Sequence, residues 1–178
     1  MSESTDEMLM ERYLVGELAA FDELFRRYSP RLYGFFVRSF GNKAIAEDLL
    51  QTTILKWHNA RRTYRMGMPL KPWLFTIAAR VRLDEWRRRA KKPLTEDDLD
   101  LPTPATPSDL LAEQSEAARV HKALAELPES HRTVVQLHYY EGLAFKEVAE
   151  VLQTSEAAVK QRAFRAYEKL RAVLGARR

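Results

Sequence analysis

The chain contains no cysteine. Disulfides, thiol nucleophiles and cysteine-based zinc sites are therefore excluded, and the composition suits a reducing, cytoplasmic setting. Glycine and proline are scarce, six and eight in 178 residues, and no Gly-rich phosphate loop occurs. No apolar run approaches the roughly 18 residues of a membrane span, so membrane insertion is not expected. Met1 to Glu11 is acidic and polar, without a secretory signal. The histidines are His58, His121, His131 and His138. His131 and His138 are seven apart, but no carboxylate pair completes a metal site, so surface or cap positions suit them better. With no nucleophile motif either, the sequence predicts no enzyme, no cofactor and no metal.

What is present supports a buried core, with 46% apolar and 30% charged residues. The net charge of +4 hides a segmental pattern. Residues 1–92 carry 18 Lys/Arg against 11 Asp/Glu, a net of +7. Residues 93–118 carry seven acids and no base, and residues 119–178 carry 11 bases against seven acids. Two basic blocks around an acidic connector fit two modules that each meet a polyanion, and equally two solvated helix surfaces.

The apolar spacing is helical throughout. Phe21, Leu24, Phe25, Leu32, Phe35 and Phe36 recur at three- and four-residue steps, with Pro30 placed to kink or split that helix. Gly41-Asn42 is a stop. The next helix has an apolar stripe of Ile45, Leu49, Leu50, Ile54 and Trp57, with Asp48, Gln51 and Thr52 on its other side. Arg61 to Pro69 reads as a loop. A third helix runs from about Pro72 to Lys91, with Trp73 and Trp86 expected in the core. Four prolines and four acids between Pro93 and Pro107 mark a linker. Ser108 or Asp109 caps a helix reaching Leu127, and Pro128 opens another that ends at Gly142. No segment alternates with period two. The fold class is all-α: two small helical domains, 1–92 and 115–178, joined by a flexible linker over 93–114.

Residues 145–171 have helix-turn-helix spacing. Phe145 to Leu152 is one short amphipathic helix, Gln153-Thr154-Ser155 a tight turn, and Glu156 onward a longer helix that Ser155 can cap. Val148, Ala149, Leu152 and Val159 are placed to pack the pair, and Phe164 to anchor the second helix. That helix offers Ser155, Glu156, Lys160, Gln161, Arg162 and Arg165 to DNA: Arg can fork onto guanine, Gln can pair with adenine, and Lys suits phosphate. Arg165 is the first choice for a base contact. The other basic concentration is the helix with Arg80, Arg82, Arg87, Arg88, Arg89, Lys91 and Lys92 against Asp84 and Glu85, interleaved with aromatics. Basic side chains bind phosphates, and an exposed aromatic can hold a base that has left its stack.

The runs Ala46 to Gln51, Lys71 to Ala78 and Leu83 to Arg88 resemble region 2 of bacterial sigma factors of the extracytoplasmic-function group, in the sigma-70 family. Ala123 to Pro128, Arg132, Glu141 to Leu143, Phe145 to Ala149, and Ser155 with Val159 to Arg162 are similar to region 4. The resemblance implies a transcription initiation factor whose partners are core RNA polymerase, promoter DNA and a regulating anti-sigma factor. It implies polymerase binding through Asp48, Gln51 and Thr52. Recognition and melting of the −10 element would fall to Lys71, Arg80, Asp84, Arg87 and Arg88, and reading of the −35 element to the helix from Ser155. The linker would run through polymerase channels. The chain departs from the family's frequent residues at Arg80 (Asn), Thr52 (Glu), Ile54 (Phe), Gln153 (Gly) and Ala158 (Thr). From the helix-turn-helix alone, a repressor or activator binding duplex DNA without polymerase fits too, as does a protein-binding adaptor. The repressor or activator leaves the second basic helix and the acidic tether without a role.

Overall fold

The computed structural model describes residues 4–90 and 116–175, with the side chains of 116–118 left aside. It is all-helical among the described residues and divides at Arg89–Ala90 into two compact units. The tether expected over 93–114, and the cap expected at Ser108 or Asp109, lie outside the described residues.

The first unit holds four helices: α1 (Asp6–Leu14), α2 (Leu18–Phe40), α3 (Lys43–Ala60) and α4 (Leu70–Ala90). Local chemistry sets their ends. Thr5 Oγ1 accepts the Met8 N–H at 3.2 Å at the start of α1. Gly41 closes α2 at φ 63°, where a side chain would be strained, and Asn42 Oδ1 accepts the Ile45 N–H at 3.1 Å to open α3. Arg61–Thr63 forms one 3-10 turn, and Gly67 (φ 81°) turns the loop toward α4. The start of α4 is satisfied from a distance: Glu7 Oε1 accepts the Leu70 N–H at 3.0 Å. This acid sits where a helix N-terminus favours negative charge.

Of the kink or split expected at Pro30, the split does not occur: α2 runs as one element through it. Leu24 and Tyr28 before it, and Leu32, Phe35 and Phe36 after it, are all buried. Packing on both sides outweighs the roughly 3 kcal/mol that an interior proline costs. The core joins Leu9, Met10 and Tyr13 of α1 to this face, to Trp57 of α3 and to Leu70, Leu74 and Phe75 of α4. Its aromatics interlock: Phe21 lies 4.8 Å from Tyr13 and 5.3 Å from Trp57, and Phe35 meets Phe75 edge-on at 5.7 Å.

The second unit contains α5 (Glu116–Ala125), α6 (Glu129–Val135), a π-helical segment (Gln136–Tyr140), α7 (Phe145–Leu152) and α8 (Glu156–Gly175). Leu124, Leu127, Val135 and Ala166 form a buried cluster, with Val120, Tyr167 and Leu170 packed against it. Arg132 ties the end of α5 to α6, donating from Nε to the Leu124 carbonyl at 3.0 Å and from Nη2 to that of Ala125 at 2.8 Å. The π-segment follows α6 directly and ends at Tyr140, and the chain turns at Gly142 (φ 72°) two residues on. His138 serves that turn: its Nδ1 meets the Leu143 carbonyl at 2.7 Å, and its ring stacks on Phe145 at 4.1 Å.

Candidate nucleic-acid interfaces

On α4, Arg80, Asp84 and Arg87 follow at four- and three-residue steps and are all exposed, so they share the solvent side. Lys71 is half-buried in the first turn. Arg82 is buried and turned away from that side. Asp84 faces Lys56 of α3 at 3.7 Å. Arg88 donates to buried Glu85 from Nε at 2.9 Å and Nη2 at 2.8 Å, and Arg89 Nε reaches the same carboxylate at 2.8 Å. The Arg88 hydrogen bond, with help from Arg89 and against burial, holds the Glu85 carboxyl below its usual range. Arg89 also lies over the Phe40 ring at 5.8 Å. Arg88 and Arg89 are thus oriented by one acid, whereas Arg80 and Arg87 enter no ion pair among the described residues.

The tryptophans differ from expectation. Trp73 is half-buried, edge-on to Tyr64 at 5.4 Å. Trp86 is not in the core at all but 41% exposed. Inward places at that end of α4 are taken by Val81, Arg82 and Glu85, and among the described residues Trp86 stays exposed.

On α3, Asp48, Gln51 and Thr52 are exposed, and Thr52 Oγ1 donates to the Asp48 carbonyl at 2.9 Å. The buried stripe is Ala46, Leu49, Thr53 and Trp57. Leu50 and Ile54, expected inside, instead line a surface groove of about 410 Å³ with Phe21, Phe25, Leu55 and His58. Gln51 lines the same groove, so this polar residue borders the apolar surface rather than opposing it. The signal was present: the apolar positions of this helix span a wider arc than one neighbouring helix covers.

In the second unit, α7 and α8 pack through Val148, Ala149, Val151, Val159 and Ala163, with Leu152 half-buried. Gln153 takes the left-handed conformation (φ 52°, ψ 49°), the position glycine fills without strain. The Thr154 N–H bonds the Ala149 carbonyl at 3.0 Å across this turn. Ser155 Oγ accepts the Ala158 N–H at 3.1 Å and caps α8. Lys160 pairs with Glu156 at 2.8 Å, and its hydrogen bond draws the Glu156 carboxyl below its usual range. Gln161 and Arg165 are exposed and Arg162 is half-buried. Phe164, expected to anchor α8, is 63% exposed, because Val159, Ala163 and Ala166 fill the inward positions. Burial first, then Arg162, Arg165 and Lys169, keep the nearby His131 imidazole below its ordinary pKa.

The geometry therefore defines a class: a helical protein with a capped helix-turn-helix and a second arginine-rich helix, both suited to polyanion binding. Comparison with known proteins narrows it. Residues 24–92 match the family model for sigma-70 region 2, and residues 117–170 that for sigma-70 region 4. The chain is 39% identical over 93% of its length to the RNA polymerase sigma factor CarQ of Myxococcus xanthus, covering 95% of that protein. It is 31% identical to the ECF RNA polymerase sigma factor SigM of Bacillus subtilis, over 85% of this chain and 93% of that one. Among solved structures, the sigma factor RpoE in complex with the anti-sigma factor NepR from Bartonella quintana aligns with a TM-score of 0.75 at 25% identity, over 89% of this chain and 98% of that chain. CnrH in complex with the cytosolic domain of CnrY gives 0.73 at 28%, over 97% and 99%. The chain belongs to the sigma-70 family of RNA polymerase sigma factors, in its extracytoplasmic-function group. It is a transcription initiation factor that binds core RNA polymerase and directs it to promoters, and not an enzyme. No helix among the described residues is long and apolar enough to cross a membrane.

Proposed function

We propose that the two units divide promoter recognition. Residues 1–92 dock on polymerase and recognise and melt the −10 element, residues 115–178 read the −35 element, and residues 93–114 connect them. One observation carries this reading: α4 and α8 each present exposed arginines outside any ion pair among the described residues, Arg80 and Arg87 on one and Arg165 on the other. Such side chains meet phosphates or base edges without first breaking an internal contact. On α4, Lys71 and Arg88 add phosphate contacts, and Asp84 releases Lys56 to reach bases. On α8, Gln161 and Arg165 face bases. Ser155, Glu156, Lys160 and Arg162 set the rim, where the cap and the Lys160–Glu156 pair fix the helix N-terminus.

Asp48, Gln51 and Thr52 meet the polymerase clamp helices. The adjoining groove offers them an apolar bed, so a helix with one apolar and one basic side fits. The solved relatives were captured with anti-sigma and cytosolic partners; by that likeness an anti-sigma factor holds this chain inactive in the cytoplasm. The test is Asp48→Arg. An exposed helix position costs at most about 0.5 kcal/mol on substitution, so thermal stability stays close to that of the parent. Co-purification with core polymerase is lost. Normal co-purification removes the α3 assignment.

A further inference from the structure

Glu85 takes an inward place on α4 and is only 8% exposed. An isolated buried carboxylate is costly, and an apolar side chain of similar size would fill an inward place at less cost. The acid has to be understood through its partners. Its Oε2 accepts from Arg88 Nε at 2.9 Å, and its Oε1 accepts from both Arg88 Nη2 and Arg89 Nε at 2.8 Å. Residues 88 and 89 are neighbours, so their side chains leave the helix about 100° apart. One carboxylate draws their guanidiniums together. The Phe40 ring of α2, 5.8 Å from the Arg89 guanidinium, pins that side chain further. The remaining N–H groups of both arginines have no acceptor among the described residues, and the Arg88 side chain is 64% exposed. The same spacing occurs on α2, where Glu23 receives Arg26 and Arg27 at 2.7 Å. There Arg27 continues to Asp6 at 2.8 Å and to the Ser4 carbonyl at 3.0 Å, so that fork fastens α1. The Glu85 fork ends in donors that the described fold does not use.

A guanidinium carries five N–H donors in one plane, and a fork held in place beforehand loses less freedom when it meets a phosphate. We propose that Glu85 is a positioning residue for promoter binding, holding Arg88 and Arg89 side by side so that their outer edges meet phosphates of the −10 element. The contacts to Glu85 are kept in the complex and not exchanged for DNA. This rests on the reading of α4 as the −10-facing helix, and it runs against simple charge. Loss of an acid beside a polyanion would by itself tighten binding. Loss of this acid should weaken it.

The experiment uses holoenzyme reconstituted from core polymerase with the parent chain, Glu85→Gln, Glu85→Asp, or Arg88→Ala combined with Arg89→Ala. A fifth chain carries Glu85→Gln in that double-alanine background. Binding to a promoter fragment is titrated across salt at saturating core. Glu85→Gln should bind about 5-fold more weakly, from the freedom returned to two long side chains. Its salt slope should not fall, because both cations remain. Glu85→Asp keeps the charge but is one methylene short of gripping both arginines. It should weaken binding too, and it carries the test if the Gln variant folds poorly. The double-alanine chain should bind more weakly with a salt slope lower by roughly 1–2, and Glu85→Gln should cost nothing further in that background. If Glu85→Gln and Glu85→Asp bind like the parent or more tightly while the double-alanine chain is impaired, the positioning role is wrong and the reading of α4 survives. If Glu85→Gln costs as much without the two arginines as with them, its effect does not pass through them and the proposal falls. If the double-alanine chain binds like the parent, this end of α4 does not meet DNA, and the reading of α4 falls with the proposal.

Discussion

The two units solve the same problem with different side chains. Among the described residues, the first unit fully buries Trp57, Tyr28, Phe35, Phe36 and Phe75, together with Met10 and four leucines. The second fully buries few large residues, Leu137 and Gln136, and fills its interior with Val134, Val135, Val148, Val159 and the small Ala123, Ala149, Ala163 and Ala166. It also buries Thr133 and Glu141. One unit gains stability from apolar volume removed from water. The other gains it from close helix approach and from backbone ends closed by side chains, as at Arg132, Lys169 (to the Glu126 carbonyl, 2.7 Å) and Ser155. A core of large rings is sensitive to loss of volume, and a core of alanines to its gain.

The sharpest way to break this contrast is Trp57→Ala. Emptying a fully buried tryptophan site should cost the first unit about 3–5 kcal/mol, read as lost amide protection in α2 and α3 under denaturant, with α7 and α8 unchanged. Equal loss in both units would show that they do not fold independently. The mirror experiment is Ala163→Leu, which forces extra methylenes between α7 and α8 and should cost the second unit about 1–3 kcal/mol. A neutral result would mean that the helix pair yields, and that close approach is not what stabilises it.

The same contrast extends to the two helices proposed to face DNA, where α4 orients two arginines on a buried acid while α8 holds a surface pair. Arg165→Ala should weaken holoenzyme binding by about 1–3 kcal/mol and relax preference at one base pair. Lys160→Ala should weaken all sequences alike and lower the salt slope by about one. Binding measured over promoter variants and salt separates them; parent-like behaviour in both would remove α8 from promoter reading. The smallest effect is a gain. Gln153→Gly relieves a left-handed side-chain position but loosens the unfolded chain, for a net stabilisation of about 0.5 kcal/mol, read as a rise in the thermal midpoint of the second unit. A loss there would mean that the Gln153 side chain contributes more than its backbone strain removes.

Much of this was legible in the sequence, because local chemistry decides it. Gly41-Asn42 stops and restarts a helix as written, and Ser155 caps α8 through the expected hydroxyl. The helix-turn-helix follows from its spacing. Periodicity failed where the question was what lies opposite. It ranks Trp86 and Phe164 by residue type, yet both are exposed among the described residues. For Phe164 the pattern held the answer: with Val159, Ala163 and Ala166 inward, position 164 falls beside Lys160 and Gln161 on the solvent side. Leu50 and Ile54 misled for a related reason, since an apolar stripe can belong to a surface groove as well as to a core. The π-segment after Val135 has no sequence period of its own, and nothing local announces that Gln153 must turn left-handed without glycine.

The hydrogen bond from the Leu70 N–H to Glu7 spans 63 residues of chain. Its acceptor is made first and its donor much later. At ordinary ribosomal speeds of about 5–20 residues per second, Glu7 waits roughly 3–13 s for the residue it caps to be synthesised. During that interval α1 has no α4 to hold, and the arginine-rich helix cannot yet be presented. This cap is therefore among the last contacts of the first unit to close, so a nascent chain shorter than this loop has not assembled the arginine-rich helix that is proposed to meet DNA.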